Sequence, residues 1–316
     1  MHIQNKGINL IRKIVLSFSV MVALGIILGL LSGGFPRFGS EIGTIALFIA
    51  MTFSLQQISI RKTIQQASKQ MMLLSFIVHF ILLPVVILFF GSFFSSPLWE
   101  GFVIMAAVPP AVAVVPVTKI LRGNVQQTIV SLSFLYLLAL VLTPVFLLVF
   151  LGEQVAFWSM LKTVIEFIVL PLMFSRLLRK LSFSSKQTSL IVNMCFFIVM
   201  VAIVGLNRMA LVQDIYLLAL LTGVIMIRTI GTALAVFVIG EKRKKDRGIV
   251  IPLALFASFK NDGLGLLIAS SILPPLASVP FIIAIIFEMV IAGSLEYVID
   301  FFIYLLIHEL ITTDAD

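Results

Sequence analysis

The sequence predicts an all-α polytopic membrane protein, and three observations carry that prediction. Hydrophobic residues make up 61% of the 316 residues, charged residues only 11%, and mean hydropathy is +1.20. A soluble domain carries roughly 25% charge, and a chain this apolar would leave large greasy patches facing water. The apolar runs, 14–31 and 125–151 among them, are continuous. They match the length of a membrane-crossing helix and lack the alternation of a barrel strand. Basic residues, finally, gather in the short polar connections between the runs. In lipid the backbone must satisfy its own hydrogen bonds, so each run is read as a helix.

Taken in order, about ten spans are predicted, at 14–32, 42–59, 71–91, 98–121, 125–151, 155–177, 187–206, 214–239, 249–272 and 276–299. The first run is long and is followed by no small-residue cleavage site, so it is a span and not a cleaved signal. With the amino terminus inside, the cytoplasmic face receives Lys6, Arg12 and Lys13, then Arg61, Lys62 and Lys69, then Lys119 and Arg122. It also receives Arg176, Arg179, Lys180 and Lys186, and the cluster Lys242, Arg243, Lys244, Lys245 and Arg247. Only Arg37 and Arg208 fall outside. This asymmetry follows the positive-inside rule, so the formal charge of +8 is a topology signal and not a nucleic-acid footprint. The 241–247 cluster is a secondary candidate for contact with lipid headgroups. Both termini are thereby placed on the cytoplasmic side of the cell membrane, with the piece 300–316 at the surface. Five spans fall in 1–152 and five in 153–316. The second set starts on the opposite side from the first, the arithmetic of two inverted five-helix repeats in one integral membrane domain.

The fourth span of each half is interrupted. In the first, Pro109, Pro110 and Pro116 remove backbone donors, which should break or kink the helix and free carbonyls. In the second, Lys260, Asn261, Asp262 and Gly263 stand between two apolar stretches. Paired interruptions in corresponding spans point to a transport site near the midplane. Pro84, Pro144 and Pro171 are read as simple kinks. Ionisable residues inside spans are few, and each requires a reason. Lys162 and Glu166, at i,i+4, either neutralise each other or line an aqueous cavity. Arg228 is too deep to reach the interface, with Glu288 or backbone carbonyls as its possible partners. His79 is either a satisfied interior histidine or part of the site. Lys260 and Asp262 do not share a helical face at i,i+2, but in an unwound break both could enter one cavity. Cys195, the single cysteine, allows no internal disulfide and reads as packing. The histidines are scattered without metal-ligand spacing, and no nucleotide-binding glycine motif is present. No enzyme, metal or cofactor is expected.

These segments resemble the bile acid:sodium symporter family over nearly the whole chain. The carrying residues are 48–55, His79 through Pro84, Val108 through Pro110, 121–124, Leu142-Thr143-Pro144, 168–171 with 176–179, and Gly293-Ser294. The resemblance implies ten helices in two inverted repeats, with spans 1, 2, 6 and 7 as a panel and the other six as a core. Broken helices 4 and 9 would cross in that core. The positions that hold sodium in the family correspond here to Val114, Val115, Thr128, Leu132 and Phe256, and at a second site to Phe256, Lys260 and His79. Only Thr128 keeps a side-chain oxygen. Asn261 matches a substrate-touching asparagine.

The expectation is therefore a secondary transporter of a small organic anion, working by alternating access and not coupled to sodium. Its site would comprise Lys260, Asn261, Asp262, His79, Thr128, Pro109 and Pro110. A sodium- or proton-coupled symporter or antiporter of the same fold is the alternative, with Asp262, Lys260 or His79 as proton carrier. A non-transporting membrane sensor is a third reading, disfavoured because no soluble output domain is seen.

Overall fold

A computed structural model describes residues 15–57, 68–152, 158, 162, 165–181, 183–212 and 214–288. The predicted basic flank Lys6, Arg12 and Lys13, the loop with Arg61 and Lys62, the pair Gly293-Ser294 and the tail 300–316 lie outside the described residues. The helices are α1 Phe18–Ser32, α2 Gly39–Ser54, α3 Lys69–Gly91, α4 Leu98–Ala107, α5 Val114–Ile120 and α6 Val125–Leu151. There follow α7 Leu170–Leu178, α8 Ser185–Val212, α9 Ile215–Lys242, α10 Arg247–Phe256, α11 Asp262–Ile272 and α12 Pro275–Glu288. Helices α3, α6, α9 and the Ser185–Met209 part of α8 are each long and apolar enough to cross a membrane.

Local chemistry explains where several helices begin. The side chains of Ser68, Asn124, Asp214 and Asn261 accept from the backbone N–H groups of Met71, Gln127, Leu217 and Leu264, so each caps a first turn. Along the helices, bulky apolar residues recur at three- or four-residue spacing on outer faces, as with Leu24, Ile27 and Leu31, or Val141, Val145 and Val149. Such stripes would be liabilities in water and are suited to lipid.

Helix α8 lies along both α1 and α2. The approach is close because the contacting residues are small. A Cβ on Gly25 would sit 2.7 Å from the Phe197 carbonyl oxygen, and one on Gly205 would collide with the backbone of Gly34. Without a hydrophobic drive between helices in lipid, this backbone-to-backbone packing is what holds them.

The predicted fourth and ninth spans are both broken. α4 ends at Ala107 and α5 begins at Val114, while α10 ends at Phe256 and α11 begins at Asp262. The helices that precede them, α3 and α9, each contain a π-helical turn, at Ile77–Leu82 and Ile227–Gly231. His79 and Arg228 occupy these turns 149 positions apart, and the two helix ends Ala107 and Phe256 have the same separation. Pro116, expected to add to the break, instead lies in the first turn of α5. Amides there have no intrahelical partner, so a missing donor costs nothing.

Candidate functional site

The two breaks meet. Pro110 and Lys260 form an isolated antiparallel bridge, in which Asn261 N–H donates to the Pro109 carbonyl at 2.7 Å and Ala111 N–H donates to Phe259 at 3.2 Å. Backbone that leaves a helix inside a protein must find new partners, and here they can be followed residue by residue. In the first break the Ala107 carbonyl accepts the Thr143 hydroxyl at 2.8 Å. The Ala106 and Val108 carbonyls accept the Lys260 ammonium at 2.7 and 3.1 Å. In the second, Phe256 O faces His79 Nδ1 at 2.9 Å, Ala257 O accepts the Thr232 hydroxyl at 2.6 Å, and Ser258 O accepts Arg228 Nη1 at 2.6 Å.

Lys260 is fully buried. Its third hydrogen bond goes to the His79 carbonyl at 3.3 Å, and the Phe80 ring lies 5.4 Å from the ammonium, within cation–π range. Two prolines free two of the three carbonyls in this cage. In an α-helix the Ala106 carbonyl would pair with the amide of residue 110, which is proline. In the π-helical turn of α3, Leu83 N–H bonds to Val78 O, so the next carbonyl, that of His79, would pair with residue 84, also proline. Pro84 is thus more than the kink the sequence indicated, because it frees a carbonyl for Lys260.

Lys260 and Asp262, considered together from the sequence, do not pair. Lys260 reaches the carbonyls of α3 and α4, whereas Asp262 Oδ2 accepts from Arg228 Nη2 at 2.7 Å. Asn261 between them takes a non-helical backbone, φ −75° and ψ 69°, and this sends its neighbours in different directions. Arg228 is fully buried and bonds a carbonyl, that of Ser258, as the sequence allowed, but the carboxylate it bonds is Asp262 and not Glu288. Its Nη1 also lies 3.8 Å from Glu288 Oε1. Glu288 Oε1 in turn accepts the backbone N–H of Lys260 at 3.1 Å. Glu288 is a member of the cluster that the sequence did not single out for the site. The signal available was an acidic residue deep in an apolar span, but its partner could not be chosen from sequence.

Asn261 caps α11 through Oδ1, and its Nδ2 donates to the Tyr136 hydroxyl at 2.9 Å and approaches Met51 Sδ at 3.4 Å. It therefore links α11 to α6 and α2. His79 is buried, with Nε2 3.4 Å from the Val108 carbonyl, and belongs to the cluster. Thr128 does not. Its hydroxyl donates to the Asn124 carbonyl at 2.7 Å and faces Thr118 at 3.4 Å, away from the crossing. Lys162 and Glu166 form the 3.7 Å pair expected of i,i+4 neighbours. Val114, Val115, Leu132 and Phe256 are buried and offer no side-chain oxygen, whereas hard cations require several.

Comparison with known proteins now adds to this geometry. A model of the Sodium Bile acid symporter family matches residues 42–221. The chain is also similar to uncharacterized protein YbaS of Bacillus subtilis (strain 168), 22% identical over 215 residues, which are 64% of this chain and 69% of that protein. The family match takes in more than half of the chain, including α3, both halves of the first broken span and α6. This is an integral membrane protein of the symporter type of transporter, and the chain belongs to the sodium bile acid symporter family.

Proposed function

We propose that this protein is a secondary transporter of a small organic anion, working by alternating access, in which the Lys260 ammonium stands in place of a coupled sodium ion. One observation carries the reading. The freed carbonyls of His79, Ala106 and Val108 converge on Lys260 Nζ, a set of oxygen ligands that would suit a small monovalent cation and is occupied by a tethered one. The residues at the family's sodium positions do not fit the ion, since four are aliphatic or aromatic, Thr128 is turned to other partners, and the remaining two are Lys260 itself and His79, neither of which has a side-chain oxygen. No step of transport is therefore assigned to sodium.

The architecture proposed for this activity is ten spans in two inverted repeats, 1–152 and 153–316, with both termini cytoplasmic. The 149-residue recurrence of π-helical turn and break supports it. Spans 1, 2, 6 and 7 would form the panel against which the core rocks. Asn261 touches Met51 of α2, in the second span, so this contact would join panel and core in one state and part in the other, while its bond to Tyr136 of α6, in the fifth span, would stay within the core. The fixed charge of Lys260 favours an anionic substrate. The N-terminal end of α11 adds less than its dipole alone would, because Asn261 caps it and Asp262 stands in its first turn.

The test is a thermal-stability screen of the purified chain against organic anions in sodium, potassium and choline buffers. A ligand at a hundredfold its Kd adds about 2.7 kcal/mol of apparent stability. The expected result is stabilisation by an organic anion, equal in the three cations. Stabilisation confined to sodium would refute the substitution of Lys260 for the ion.

A further inference from the structure

The Arg228 cluster contains one carboxylate more than its guanidinium satisfies. Arg228 directs Nη2 to Asp262 Oδ2 at 2.7 Å and Nη1 to the Ser258 carbonyl at 2.6 Å. Glu288 Oε1 lies 3.8 Å from Nη1, beyond hydrogen-bond distance. Its partner is the backbone N–H of Lys260. Asp262 is 1% exposed, and its second oxygen, Oδ1, is buried without any donor. A buried carboxylate oxygen without a donor is costly. Asp262 and Glu288 both face the one guanidinium, at 2.7 and 3.8 Å, and two ionised carboxylates bring no hydrogen of their own to the cluster. The ammonium of Lys260 does not supply one, since its three hydrogens go to carbonyls. Other titratable groups around Glu288 are Arg228 on α9 and Asp262 on α11. His79 on α3 faces the Phe256 and Val108 carbonyls.

We propose that Glu288 and Asp262 form a proton-binding site, holding one proton between their carboxyl groups beside Arg228. A proton placed there supplies the donor that Asp262 Oδ1 lacks and leaves one carboxylate for the one guanidinium. The binding step is simple: a proton from water forms an O–H bond on Glu288, nothing is oxidised or reduced, and the cluster's charge rises by one. Glu288 is the route in, since 12% of its side chain is accessible while those of Arg228 and Asp262 are sealed. With the proton bound, Lys260, Arg228 and Asp262 leave a net charge of one positive at the crossing, which an organic anion would neutralise. Use of this proton to drive transport rests on the transport reading above; the site itself does not.

The experiment is infrared difference spectroscopy of the purified full chain across a pH series, in H2O and D2O. Wild type is compared with Glu288→Gln, Asp262→Asn and the control Glu166→Gln. The expected result is a protonated-carboxyl band at neutral pH that shifts in D2O, is retained in the control and is lost in both Glu288→Gln and Asp262→Asn. Loss in the second follows because Arg228, freed from Asp262, then pairs with an ionised Glu288. The absence of the band in wild type at neutral pH, or its survival in either single variant, would overturn the proposal. Should Glu288→Gln fail to fold, Glu288→Asp must shift the band, and an unshifted band counts against the site equally. A band with no anion binding in the stability screen would leave the proton site standing and remove the transport reading. Anion binding without the band would do the reverse.

Discussion

Replacing Lys260 with methionine removes the ammonium and leaves an unbranched apolar side chain one atom shorter. The ammonium has three hydrogens and spends them on the carbonyls of Ala106, Val108 and His79, at 2.7, 3.1 and 3.3 Å. The Val108 carbonyl, unlike the other two, has no proline at its helical donor position, which is Val112. The other two carbonyls have no helical donor to return to, because the positions that would supply one are Pro110 and Pro84. A buried polar group left unpaired costs ~1–3 kcal/mol, so the two together cost ~2–6 kcal/mol. Relief from burying a charge offsets part of this, leaving a net loss of ~1–4 kcal/mol. That is a large fraction of a total stability of about 5–15 kcal/mol. The assay is thermal unfolding of wild type and Lys260→Met, followed by organic-anion binding in sodium and in choline. The expected outcome is a destabilised variant that folds, binds anion poorly and gains nothing from sodium, since Val114, Val115, Leu132 and Phe256 lack oxygen ligands. Wild-type stability in Lys260→Met would refute the carbonyl accounting. Recovery of binding on adding sodium would show that carbonyls and Thr128 build an ion site after all.

Three further outcomes are expected. Reporter fusions after Asp316 and within the 242–247 loop should both read cytoplasmic, and an external reading at either place would break the ten-span arrangement. Joint replacement Pro109→Ala with Pro110→Ala should reduce anion transport more than stability, because alanine lets α4 continue and returns to the Ala106 carbonyl a donor that competes with Lys260; transport at the wild-type level would mean that the prolines only kink the chain. Pro84→Ala should weaken anion binding severalfold with thermal stability unchanged or raised, since residue 84 could then donate to the His79 carbonyl, and unchanged affinity would remove Pro84 from the cage.

Composition alone decided the solvent, and with it the helices. A chain 61% hydrophobic must satisfy its backbone locally, and continuous apolar runs do so only as helices. The breaks were legible too, because proline lacks a donor and a polar Lys-Asn-Asp run cannot be spent on lipid. What the breaks bind was not legible. Lys260 and Asp262 are two residues apart in the chain, yet one points to α3 and α4 and the other to α9, because Asn261 between them leaves strand-like backbone to cap a helix. Arg228 and Glu288 are sixty positions apart, and no local periodicity brings them together. Pro84 looks like any membrane-helix proline until the π-helical register shows which carbonyl it leaves free. Each of these depends on contacts between segments distant in sequence, where the position of a donor is set by how helices cross, and only the tertiary structure contains that information.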